Sequence, residues 1–135
     1  MVLGIILAIH NLLRWVVLAA ILFTLFRAYS GWLGKKAWQA TDRLAGLIFS
    51  ITIDVQLLLG IVLIFVRGFS VIQMRFYIEH IGMMILAVVL AHVGSALSKK
   101  ADLDVDKHRK AAIWFTLTLL VILVSIPWTR PLLPF

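Results

Sequence analysis

Hydrophobic positions in this chain run in four long blocks. Residues 2–26, 44–66, 76–97 and 111–127 are nearly continuous hydrocarbon, separated by stretches rich in lysine, arginine, glycine and aspartate. Each block is close to the roughly 20 residues that a helix needs to cross a bilayer. Short connections make consecutive helices antiparallel neighbours. The pattern predicts an all-α, integral membrane protein: one domain, a four-helix up-and-down bundle, with nearly the whole chain used by the four spans.

The connections refine this picture. The first, residues 27–43, carries Arg27, Lys35, Lys36 and Arg43 against Asp42. The third, residues 99–110, carries Lys99, Lys100, Lys107, Arg109 and Lys110 against Asp102, Asp104 and Asp106. The second holds only Arg67 and Arg75, and the stretch before the first span holds no charged side chain. Lysine and arginine accumulate on the side that is not translocated, so loops one and three are expected in the cytoplasm and both termini outside. Trp32, Trp38 and Trp114 then fall near the inner boundary and Trp128 near the outer one. "SGWLGKKAWQATD" suggests a short interfacial helix before Thr41 or Asp42 caps the second span. "ADLDVD" offers caps for the fourth, which Pro127 and Pro131 should stop.

Composition agrees. Of 135 residues, 63% are hydrophobic and 14% charged, far from the balance of a soluble domain. The first block lacks a basic leader and a small-residue cleavage site, so it reads as a retained helix. The absence of cysteine excludes disulfides, thiolate metal sites and c-type haem attachment. The net charge of +7 lies between spans, which favours anionic lipid headgroups over nucleic acid as its partner.

Ionisable and polar groups inside a span cost a few kcal/mol each on insertion scales and call for an explanation. His10 and Arg14 occupy span one, Asp54 and Gln56 span two, and Glu79, His80 and His92 span three. At about 1.5 Å of rise per residue, His10 and His80 lie in one outer layer, roughly 10 and 6 Å below the surface. Arg14, Asp54 and Gln56 lie in one central layer about 15–18 Å down. An Arg14–Asp54 ion pair would explain a tolerated mid-membrane charge, whether it sets helix register or does more.

Two imidazoles at matched depth on different helices are what a bundle needs to ligate haem iron axially. Gly60, Gly82, Ala87 and Ala91 leave room for a porphyrin, and Arg14, or else Arg67, Arg75 or Arg130, could meet its propionates. Proton transfer or simple burial are the other uses of such histidines. His92 lies about 18 Å further in, without a histidine at its depth on another helix, so a second haem is not expected there. It could contact a quinone or bond a neighbouring helix. Met83 and Met84 leave a His/Met ligand pair open, with packing their ordinary role. Glu79 is expected at the outer interface and His108 in a solvated loop.

"HNLLRW", "DVQLLLG" and "EHIGMMILAVVLAHVG", in this order, resemble the small four-helix bacterial membrane proteins called cytochrome B. The same order more distantly resembles one half of heme A synthase. That family carries a histidine-arginine motif, a glutamine-x-x-leucine-glycine motif and a ligand histidine on successive spans. These fall on His10 with Arg14, on Gln56 with Leu59 and Gly60, and on His80. Here, however, Ile9 and Asn11 flank His10 where heme A synthase has glutamate and arginine, and the second half and its cysteines are lacking. The resemblance implies a haem-binding bundle of the bacterial inner membrane and gives little support to haem-modifying catalysis.

The expected function is a b-type cytochrome with one haem b. His10 and His80 would be its iron ligands, with Arg14, Gln56 and Gly60 lining the cofactor site. It would pass single electrons between a quinol and a redox partner, alone, as a homo-oligomer, or within a larger membrane complex. Two alternatives stand beside it. One is a haem-free membrane subunit or proton-linked carrier using Arg14, Asp54, Gln56 and His92. The other is a haem-processing enzyme related to heme A synthase.

Overall fold

The computed structural model describes residues 1–128; Arg130 and Pro131 lie outside that range. It is all-α, with helices α1 (Val2–Leu33), α2 (Ala40–Arg67), α3 (Met74–Lys100) and α4 (Asp104–Ser125). A single 3-10 turn at Val71–Gln73 leads into α3. All four helices are long and apolar enough to cross a membrane.

The helices overrun the apolar blocks, mostly at the end carrying the basic loops. Outside hydrocarbon a helix has no reason to stop until its sequence stops it. α1 therefore continues through Ser30 and Trp32 to Leu33, and the residues expected to form a separate interfacial helix complete α1 and a short turn instead. α2 is capped one turn earlier than expected. Gln39 is its N-cap, and Asp42 at the third position reaches back to the Gln39 N–H at 2.8 Å, a reciprocal capping box. α4 starts from Leu103 without a side-chain cap bond; Asp104 and Asp106 stand in its first turn, where carboxylates favour the positive helix end. It ends at Ser125, because Ile126 precedes Pro127 and is held extended.

Cross-helix contacts run in opposite numerical order on α1 and α2, and the short connections turn each following helix back along the one before, which makes the bundle antiparallel. Arg27 meets Asp42 while the His10 carbonyl meets Gln56. Asp54 meets His92, and His80 meets Ser125 while His108 abuts Gly31. Each helix packs against two others, with α1 closing the ring against α4. One end of the bundle carries the start of α1, the α2–α3 connection and the end of α4. The opposite end carries both strongly basic connections.

The interior divides along this axis. Toward the basic end and middle it is solid: Ile21, Phe49, Ile53, Ala87, Ala91, Ala112 and Phe115 are buried. Phe49 and Phe115 meet edge to face, with centroids 5.7 Å apart. Inside a bilayer such contacts act through dispersion and close fit, since leaving lipid brings little hydrophobic gain. The outer faces are just as apolar, with Leu22, Phe26, Leu58, Ile78 and Val124 exposed, as suits lipid contact. Toward the other end the core opens into a cavity.

Candidate functional site

The cavity has a volume of about 340 Å³ and is built by all four helices. α1 contributes Leu7, His10, Asn11, Arg14 and Val17; α2 contributes Gln56, Leu57, Gly60, Leu63, Ile64 and Arg67. α3 contributes Phe76, Tyr77, His80, Ile81 and Met84, and Ile122 and Ile126 close it from the end of α4. Its volume falls within the range of about 300–1,000 Å³ usual for small-molecule sites, and its walls are mostly apolar with few polar groups. His10, Arg14, Gln56, Gly60 and His80 are thus brought to one space.

His10 follows from local helix geometry. It lies one turn before Arg14, so the two share a face. Its Cε1 atom sits against Gly60: a Cβ there would lie 3.3 Å from it. Gln56 Nε2 donates to the His10 main-chain oxygen at 2.9 Å, which ties α2 to α1 at this level. His10 Nδ1 and Gln56 Oε1 are buried without a hydrogen-bond partner in the protein. Buried polar atoms nearly always find partners, so orphans at a cavity point to a missing ligand or water.

His80 is oriented by two contacts. Its Nδ1 lies 2.8 Å from the main-chain oxygen of Ser125 at the end of α4. A carbonyl can only accept, so Nδ1 carries the proton, and in the neutral ring the lone pair is then on Nε2. Metal-bound histidines are commonly held in this way by an outer carbonyl. Phe76, one turn earlier, stacks on the ring with 8° between planes and 5.3 Å between centroids. The four-residue step from Phe76 to His80 on α3 allows the stack to be read from spacing, but the Ser125 carbonyl cannot be, because it depends on how α3 faces α4.

The cations are arranged differently from expectation. Arg14 is buried and its Nη2 donates to Asn11 Oδ1 at 3.0 Å. The expected Arg14–Asp54 pair is not found among the described residues. Asp54 instead takes His92 Nε2, at 2.9 and 3.0 Å to its two oxygens. The reason is azimuth: Gln56 turns toward α1, and Asp54, two residues earlier and about 200° around the helix, must turn away. Arg67 lines the cavity, whereas Arg75 is exposed and paired with Glu79 at 2.8 Å. That pair leaves Glu79 at the surface. Met84 lines the cavity and accepts from Ser125 Oγ at 3.0 Å; Met83 does not line it.

His108 also departs from expectation. It is 1% exposed, because α4 begins early enough to draw it inside. Its ring rests directly on Gly31 of α1 and packs beside Trp38, with centroids 5.0 Å apart. It belongs to the basic end, far from the cavity.

Among the described residues no three His, Cys, Asp or Glu side chains gather to hold a bare metal ion. A porphyrin supplies its own equatorial nitrogens and needs only one or two axial side chains. Two imidazoles, apolar walls and two lining arginines are the residues here that could hold such a group. No family model, curated protein or solved structure matches this chain.

Proposed function

We propose that the protein is a b-type membrane cytochrome of the bacterial inner membrane, binding one haem b between His10 and His80 and passing single electrons. The observation that carries this reading is the meeting of those two imidazoles, from α1 and α3, at one largely apolar cavity. The bond between His80 Nδ1 and the Ser125 carbonyl, which orients that ring, supports it further. A haem bound there would supply one-electron chemistry, and two histidine ligands favour electron transfer over oxygen activation.

The chain's own residues then have defined tasks. His10 and His80 would hold the iron. Gly60 keeps the His10 ring clear of a β-carbon, and Phe76 and the Ser125 carbonyl hold the His80 ring. Arg14, buried, and Arg67, at the exposed mouth, would offset the carboxylate charge of the bound group, which raises the potential at which an electron is accepted. The aliphatic walls exclude water. The positive-inside rule puts the cavity end outside, toward the periplasm, and the basic loops in the cytoplasm. A reduced-minus-oxidised visible spectrum of the detergent-purified protein tests the reading. Bands of a six-coordinate b-type haem at one haem per chain are expected, and a colourless protein from haem-replete cells overturns it.

A further inference from the structure

Outside the cavity, the described residues hold one more polar constellation at membrane depth. His92 of α3 bonds both oxygens of Asp54 of α2, yet 52% of the His92 side chain and 43% of the Asp54 side chain remain exposed. Around them the surface is aliphatic: Ile51, Val55 and Leu58 on α2, Ile85 and Val89 on α3. A bilayer offers such a pair no hydrogen-bonding solvent, and polar groups there are costly unless something satisfies them.

We propose that the Asp54–His92 pair binds the head group of a lipid-soluble quinone or quinol, lying in the bilayer against α2 and α3. The chemistry matches in both redox forms. With a neutral imidazole donating from Nε2 to Asp54, the outward atoms are acceptors, Nδ1 and the carboxylate lone pairs, which suit quinol hydroxyls. With one more proton, Nδ1–H becomes a donor that suits a quinone carbonyl. The branched side chains around the pair suit an isoprenoid tail. They do not suit a second copy of the chain, because close helix packing in membranes favours glycine, alanine and serine at the contact. Asp54 is six residues from Gly60, about 9 Å along the α2 axis, so the head group would lie near the cavity that takes His10. This proposal gives the cytochrome reading its electron-exchange partner and rests on that reading for its purpose, but binding itself is measurable without haem.

The test uses the full chain in lipid nanodiscs and a photoreactive short-tailed azidobenzoquinone, with decylubiquinone or menadione as competitor. Labelling should concentrate on α2 and α3 around Asp54 and His92 and be abolished by excess competitor. The Asp54→Asn/His92→Leu variant should lose about tenfold or more of it, as expected for hydrogen bonds to charged groups. Because that variant could misfold, the competition arm on unaltered protein stands independently. Labelling spread evenly over the lipid-facing helices and indifferent to competitor overturns the proposal. So does efficient cross-linking of two Val55→Cys chains through this face in quinone-free nanodiscs, which would put a second copy over the pair. Competed labelling at this site in a protein without haem bands sustains the quinone site and defeats the cytochrome reading; haem bands with uncompeted labelling do the reverse.

Discussion

His80 on α3 donates its Nδ1 proton to the main-chain oxygen of Ser125, the last residue of α4, over 2.8 Å. That oxygen is one of the carbonyls a helix leaves unpaired at its C-terminus. One bond therefore satisfies a helix end, fixes an imidazole tautomer and joins two helices at the cavity.

Gly60 is expected to control the position of His10. A Cβ at residue 60 would press on the His10 ring from 3.3 Å, close enough that the ring must yield slightly. Gly60→Ala should keep most of the haem, and Gly60→Val should lose far more, while helix content stays unchanged. Haem-to-protein ratio and circular dichroism check this pair. Equal haem content in the two variants would remove Gly60 from the site.

Arg14 and Arg67 both line the cavity, so either can offset a cofactor carboxylate. Removing a positive charge there stabilises the oxidised, more positive iron. Arg14→Gln and Arg67→Gln should each lower the midpoint potential by tens of millivolts, the buried Arg14 by more, since charges in a low-dielectric interior act more strongly. Redox titration of each variant reads the shift. An unchanged potential in both would dissociate these arginines from the haem.

At the basic end, Gly31 and His108 form a packed unit with no room for a methyl group between them. Gly31→Ala should destabilise the bundle by about 1–3 kcal/mol through overpacking. In a His108→Ala background the same change should be neutral or stabilise by up to about 1 kcal/mol, because alanine is the better helix former. Thermal unfolding in detergent measures both, and the haem spectrum should not change in either. Equal destabilisation in the two backgrounds would contradict the account.

Depth proved legible in the sequence, and direction did not. Counting residues along each span suffices to match His10 with His80, and the four-residue step places Arg14 beside His10. Matching Arg14 with Asp54 by the same counting fails, because depth says nothing about which way a side chain points. Asp54 and Gln56 lie on nearly opposite faces of α2, so only one can face α1. Gln56 does, by its bond to the His10 oxygen, and Asp54 finds His92. The helix ends were also hidden, since hydropathy marks the edge of the oil rather than the last helical turn. That is why His108, outside every apolar block, is buried.

The orientation assigned from the basic loops has its own test. Cysteines placed at Lys36 and at Val71, both exposed at opposite ends of the bundle, should differ toward a membrane-impermeant thiol reagent in intact cells. Val71→Cys should react and Lys36→Cys should react only after lysis. The reverse pattern would put the cavity on the cytoplasmic side.

The central claim is that His10 and His80 share one haem iron. Its most direct test is the reduced-minus-oxidised spectrum of purified wild type, His10→Ala and His80→Ala, with folding followed by circular dichroism. The account predicts b-type bands in the wild type and their loss, or conversion to a five-coordinate form, in each folded variant. Unaltered six-coordinate bands in both variants would contradict it.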